Sequence, residues 1–160
     1  MRLILIAVGR LKSGPDRELC DRYWDRLTKQ GRSLGLTNTQ IIELGEARSE
    51  TAEQRKADEA KSILGKVPSG ARIIALDETG KQQSSSQFAT FLRTAQEDAV
   101  SDLCFVIGGP DGHGAAMMQA ADTTLSLGRF TLPHGLARIV LAEQLYRAAT
   151  IIAGHPYHRE

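Results

Sequence analysis

LCFVIGGPDGHG (residues 103–114) and TTLSLGRFTLPHGLARIVLAEQLYRA (residues 123–148) decide the fold of this 160-residue chain. The first reads as an apolar strand, Leu103–Ile107, that opens into a glycine loop; a short helical segment then follows. The second reads as a short strand, Thr124–Leu127, an irregular loop over 127–134, and a long helix, Leu136–Ile152. Ligands of open α/β sheets sit beyond the carboxyl ends of the strands. Two loops that leave neighbouring strands there can close on one ligand. The glycine loop alone is equally well a tight turn into a helix. Its order is G-G-x-x-G-x-G, without the acidic residue that would hold a ribose in dinucleotide fashion. The second loop shifts the balance. It is mostly apolar without helical spacing, so it should cover something, and its backbone groups need partners that a purine edge can supply.

Upstream, the same alternation of strand and helix recurs. Arg2–Val8 (RLILIAV) and Ala71–Leu76 (ARIIAL) are continuous apolar runs of buried-strand length, and Gln40–Leu44 is a further strand. Pro15 starts a helix to Gln30 that carries Leu19, Tyr23, Trp24 and Leu27, with Gly31 and Gly35 as its stop. Thr51 caps a charged helix, Ala52–Leu64, read as a solvent-facing cover. Ser84, Ser85 and Ser86 offer caps for a helix over Gln87–Ala99 that turns Phe88, Phe91, Leu92 and Ala95 inward. Asp77-Glu78-Thr79-Gly80 reads as a strand-end turn rather than a pair of acid/base carboxylates. The expected architecture is one α/β domain over 1–160, a mostly parallel sheet with helices on both faces.

Composition narrows the function. Hydrophobic content of 41% and charged content of 24% are ordinary for a globular protein. No apolar run is long enough to span a bilayer, and Arg10, Lys12 and Asp16 interrupt any signal-peptide core, so a cytoplasmic location without membrane contact is expected. Cys20 and Cys104 fall in a helix and a strand, as reduced core residues do. Gly9 and Gly14 are spaced like a phosphate-binding loop, but Pro15-Asp16 stands where Lys-Ser/Thr is required, which excludes a P-loop nucleoside triphosphatase. Residues 1–40 hold eight Lys/Arg against four acids on a chain of net charge +1. That excess is either a solvated amphipathic helix or a face for nucleic acid. The long last helix is aliphatic around much of its circumference (Ile139, Val140, Leu141, Leu145, Ile151, Ile152) and belongs to the core or to a homodimer contact; we expect the latter.

Behind Gly154 the chain ends HPYHRE, which we read as one wall of an active site. His113, His134, His155 and His158 all lie within the last third. The spacing His155-Pro-Tyr-His158 lacks the geometry of a two-histidine metal site, so acid/base or substrate contact is preferred and no metal is expected.

FVIGGPDG, LSLGRFTLPHGLARIVLAEQLYRA and HPYHRE, together with RLILIAVGRLK and the LDE-Thr-Gly turn, resemble the SPOUT methyltransferases, and most closely their large-subunit ribosomal RNA methyltransferase H family. The resemblance covers essentially the whole chain. It implies a carboxyl-terminal deep trefoil knot, which ordinary topology rules would exclude. It also implies a homodimer, S-adenosyl-L-methionine as cofactor, and methylation of N3 of a pseudouridine in 23S ribosomal RNA on the assembled ribosome. By position it puts the cofactor on Leu76, Gly108, Leu127, Gly128, Arg129, Phe130, Thr131 and Leu132. Arg129-Phe130 is bulkier and more charged than the family's usual small or aliphatic choices, and Thr79 replaces a commoner basic residue. Within this reading His158 is the candidate base, Arg159 holds a phosphate or the developing anion, and Tyr157 stacks on or orients the target base. Two other readings remain at this level: a flavodoxin-like or dinucleotide-dependent oxidoreductase, and a non-catalytic RNA-binding module of the same fold.

Overall fold

The computed structural model describes residues 1–158. Five strands, β1 (Arg2–Val8), β2 (Thr37–Leu44), β3 (Arg72–Gln82), β4 (Asp102–Ile107) and β5 (Thr123–Ser126), form one parallel sheet in the order β2-β1-β4-β3-β5. β1 and β4 are central, which explains their unbroken apolar runs: side chains alternate across a strand, and both faces here are covered. Leu3, Leu5, Leu103 and Phe105 join the core on one face; Ile4, Ile6, Cys104 and Val106 join the core on the other. The first face is covered by α1 (Pro15–Gly31), α3 (Ser85–Glu97) and α5 (His134–Ile152), the second by α2 (Ala52–Leu64) and the six-residue α4 (Ala115–Ala120). A flavodoxin-like sheet has the order 2-1-3-4-5. The exchange of β3 and β4 rules that reading out.

Several boundaries move for identifiable reasons. Ser84 forms a reciprocal capping box with Gln87, so α3 begins at Ser85. α5 begins at His134, directly after Pro133. β3 does not stop at Leu76. Leu125 stands opposite Leu76 and again opposite Lys81, so residues 77–80 are an excursion within a longer strand. The turn chemistry expected for them is present: the Asp77 carboxylate accepts from the backbone N–H and the hydroxyl of Thr79. Gly80 closes the excursion, because a Cβ there would lie 2.8 Å from the backbone carbon of Leu125.

α5 packs between α1 and α3 against the sheet, and Ile139, Leu141, Ala142, Leu145, Ala148 and Ala149 are buried. Core burial therefore accounts for most of its apolar circumference. A strip through Leu136, Val140, Gln144, Arg147 and Ile151 stays at least partly open. Cys20 and Cys104 are free and buried, and desolvation pushes each thiol up to about 11. Neither is available as a thiolate at neutral pH. A thiol reagent added to the native protein should label neither cysteine, and both should react once urea unfolds the chain; fast labelling of the folded state would refute the burial argument.

Candidate active site

The excursion within β3 and the segments that leave the carboxyl ends of β4 and β5 meet around one cavity of about 860 Å³. Residues 76–78, 107–113 and 125–134 supply most of the wall, and Ala137 of α5 adds to it. The volume is in the range of small-molecule sites.

The glycine loop is held from behind by α2. Arg55 donates through Nε and Nη2 to the two oxygens of Asp111 at 2.6 and 3.2 Å. Glu59 is buried, accepts from the Ala47 N–H at 3.0 Å, and leaves no room for a side chain at residue 109, where a Cβ would come within 2.7 Å of its carboxylate. Gly112 adopts φ +78°, and its N–H closes a turn onto the Gly109 carbonyl. α2 is therefore more than a solvent-facing cover: Glu59 shares the inward stripe of Ala60 and Ile63 and supports the loop. His113 also lines the cavity, and its Nε2 is buried with no partner among the described residues. Burial pulls its pKa below the ordinary value, with Asp77 opposing, so the ring is neutral at pH 7.

The second loop is fixed at both ends. The Ser126 hydroxyl accepts from the Gly128 N–H and donates to the Gly128 carbonyl, and Gly128 takes φ +133°, a conformation glycine tolerates. Thr131 donates to Glu78 at 3.2 Å across the cavity rim. From the sheet edge at β5 the chain then returns over the strand ends to β1. The His134 ring lies against Gly9, 3.2 Å from where a Cβ would stand. Arg138, fully buried, bonds to the Gly9 carbonyl at 3.0 Å and to Glu43 on β2. Glu43 also accepts from Arg17 and from the Leu11 N–H. This ion pair, fully buried on the arginine side and partly so at Glu43, clamps the exit of the second loop to the far side of the sheet.

Of the residues expected at the cofactor, Leu76, Gly108, Leu127, Gly128, Phe130, Thr131 and Leu132 line this cavity, and Arg129 does not. The tail lies elsewhere. The Tyr157 hydroxyl donates to Glu143 on α5 at 3.0 Å, and its ring packs 4.7 Å from that of Tyr146 and under the Arg147 guanidinium. His158 Nδ1 is 3.4 Å from Arg147 Nη1. Burial and Glu143 push the Tyr157 phenol upward, so it stays protonated. Neither Tyr157 nor His158 lines the cavity of its own chain, and Arg159 lies outside the described residues. The four histidines are dispersed: His113 in the glycine loop, His134 at Gly9, and His155 and His158 on the tail. Sequence reasoning missed Glu43, Glu59, Arg138 and Glu143. A lone arginine or glutamate inside an aliphatic helix was the available signal for Arg138 and Glu143.

A family model described as "Predicted SPOUT methyltransferase" matches residues 1–158. The chain belongs to the SPOUT methyltransferase family. Ribosomal RNA large subunit methyltransferase H of Brucella anthropi is 52% identical over 159 residues, 99% of each chain, and the protein of that name from Methylocella silvestris is 48% identical over 160 residues, 100% of each. A solved structure of a probable methylase family protein from Haemophilus influenzae aligns with 99% of this chain and 70% of its own at 12% identity, with a TM-score of 0.46. In this SPOUT methyltransferase the second loop runs from the sheet edge at β5 back to Gly9 at the end of β1.

Proposed function

We propose that this SPOUT methyltransferase transfers the methyl group of S-adenosylmethionine to N3 of a pseudouridine in 23S ribosomal RNA, on the assembled ribosome in the cytoplasm, and works as a homodimer. The observation that carries this reading is the shared cavity of the glycine loop and the second loop. Its wall suits the cofactor. Leu76, Leu127 and Leu132 offer apolar surface to an adenine, and irregular backbone on both sides offers hydrogen bonds to its edge. Asp77 and Glu78 at the rim suit a cationic ligand, and the unpartnered His113 Nε2 is a polar atom left for it. The cofactor supplies an electrophilic methyl on a positive sulfur, so the protein's own work is alignment and management of one proton. His158 is the proposed base that takes the N3 proton, Tyr157 orients the target ring, and Arg159 holds a phosphate or the anion formed at the base.

The place of the tail supports the homodimer. Tyr157 and His158 sit against Glu143 and Arg147 on the outer side of α5, next to its open strip. A second subunit packed on that strip can bring the tail of one chain to the cavity of the other. The reading is tested by labelled methyl transfer to ribosomes from a strain lacking this gene, followed by mapping of the modified nucleotide. A methyl found elsewhere, or none at all, would end it.

Gly80→Ala tests the cavity. The added Cβ must push back the β5 backbone, overpacking that costs about 1–3 kcal/mol. The displacement falls where β5 enters the second loop. Titration calorimetry should show cofactor affinity reduced by about tenfold; unchanged affinity would mean that the cofactor does not depend on this wall.

A further inference from the structure

Phe130 stands in the cavity wall, yet the residue is 88% exposed. No other large hydrophobic side chain described is so bare; Leu136 follows at 45%. The ring is therefore not packed into the cavity, and the second loop does not need it for its own folding. The loop is nonetheless tied down on either side of it, by the Ser126–Gly128 bonds before and by Thr131–Glu78 after. A ring displayed on a fixed loop binds a flat partner without a large ordering cost. Arg129 beside it is exposed and forms no ion pair among the described residues. Arg10 and Lys12, likewise exposed and without ion pairs among the described residues, flank Leu11, whose side chain lies against Gly135 in the first turn of α5, just past the same loop.

We propose that Phe130 is a stacking platform for an unpaired nucleobase next to the target in the RNA substrate, with Arg129 on the adjoining phosphate. The proposal rests on the RNA methyltransferase reading above and adds an RNA-positioning residue to it. An aromatic face accepts any base, and single-stranded RNA offers unstacked bases to such faces. A subunit contact is the competing use of an exposed ring. The exposed cations Arg129, Arg10 and Lys12, none in an ion pair among the described residues, favour a phosphate backbone over a second subunit.

The test compares wild type, Phe130→Ala and Phe130→Trp in methyl transfer to ribosomal particles, with cofactor affinity by calorimetry and mass by sedimentation. Loss of one stacked base predicts a KM for particles raised about tenfold in Phe130→Ala, and restored in Phe130→Trp. Cofactor affinity should fall much less than the KM rises, because a ring 88% exposed gives up little of the cavity wall, and mass should stay at the wild-type value. An unchanged KM overturns the proposal. Cofactor binding weakened as much as the KM is raised would return Phe130 to the cofactor, and a lower mass would assign it to the subunit contact; either result also overturns it. Wild-type protein that methylates no particle removes the underlying reading first, a different outcome from a silent Phe130→Ala.

Discussion

Glu43→Ala is expected to lower the melting temperature by roughly 10 °C, because removing one partner of a buried ion pair costs about 3–5 kcal/mol and a chain of this size loses about 2–4 °C per kcal/mol. Arg138 is fully buried, with Glu43 and the carbonyls of Gly9 and Val8 as its partners. Without the carboxylate a full positive charge stays in the core. Arg138→Met, which removes the charge itself, should cost less, and Glu43→Ala with Arg138→Met should be more stable than Glu43→Ala alone. Simple additivity would show that the pair is not coupled. The pair also has a pH signature. Burial opposes ionisation of Glu43, but the bonds from Arg17 and the Leu11 N–H and the charge of Arg138 outweigh it, and the pKa lies below its ordinary value. A lowered carboxyl pKa contributes stability that is complete above the unfolded value, about 4.3, and is lost as pH falls through the folded one. Thermal melts of Glu43→Gln should therefore show a flatter acid limb than wild type.

His158→Ala is expected to reduce methyl transfer by about 10² or more, the usual contribution of a positioned proton acceptor. Cofactor affinity should stay within about twofold, because the role proposed for His158 is toward the N3 proton of the RNA and not toward the cofactor. Normal transfer would remove His158 from the chemistry. The same variant tests the shared site. Gly80→Ala spoils a cavity and keeps its tail; His158→Ala spoils a tail and keeps its cavity. Co-expressed, half of the dimers are mixed, and each mixed dimer has one intact combination, so at limiting cofactor, where Gly80→Ala is itself about tenfold impaired, activity should rise to about a quarter of wild type if sites are built across subunits. If each chain builds its own site, the mixture should be no more active than the two variants apart.

Much of the fold was legible because its signals are local. Continuous apolar runs marked β1 and β4 as strands covered on both faces. Thr51 and Ser84 marked helix starts through bonds to residues three positions on. Gly108–Gly114 and 127–132 were recognisable as loops that converge, since both leave carboxyl ends of parallel strands. The tail was read as one wall of an active site, but where Tyr157 and His158 lie, off the cavity of their own chain, was not legible. Tyr157 meets Glu143 through contacts that local spacing does not report.

By itself, then, the sequence determined an α/β sheet, two reduced cysteines, a pair of converging loops and a SPOUT family membership, because periodicity, capping and motif identity are carried by neighbours in the chain. Only the tertiary structure decided that β3 and β4 exchange places, that α2 stands behind the glycine loop, and that Arg138 ties the second loop to Gly9 and Glu43. Those outcomes depend on which distant groups can satisfy a buried charge or fill a gap too small for a side chain, and such groups are matched only once the layers of the fold are pressed together.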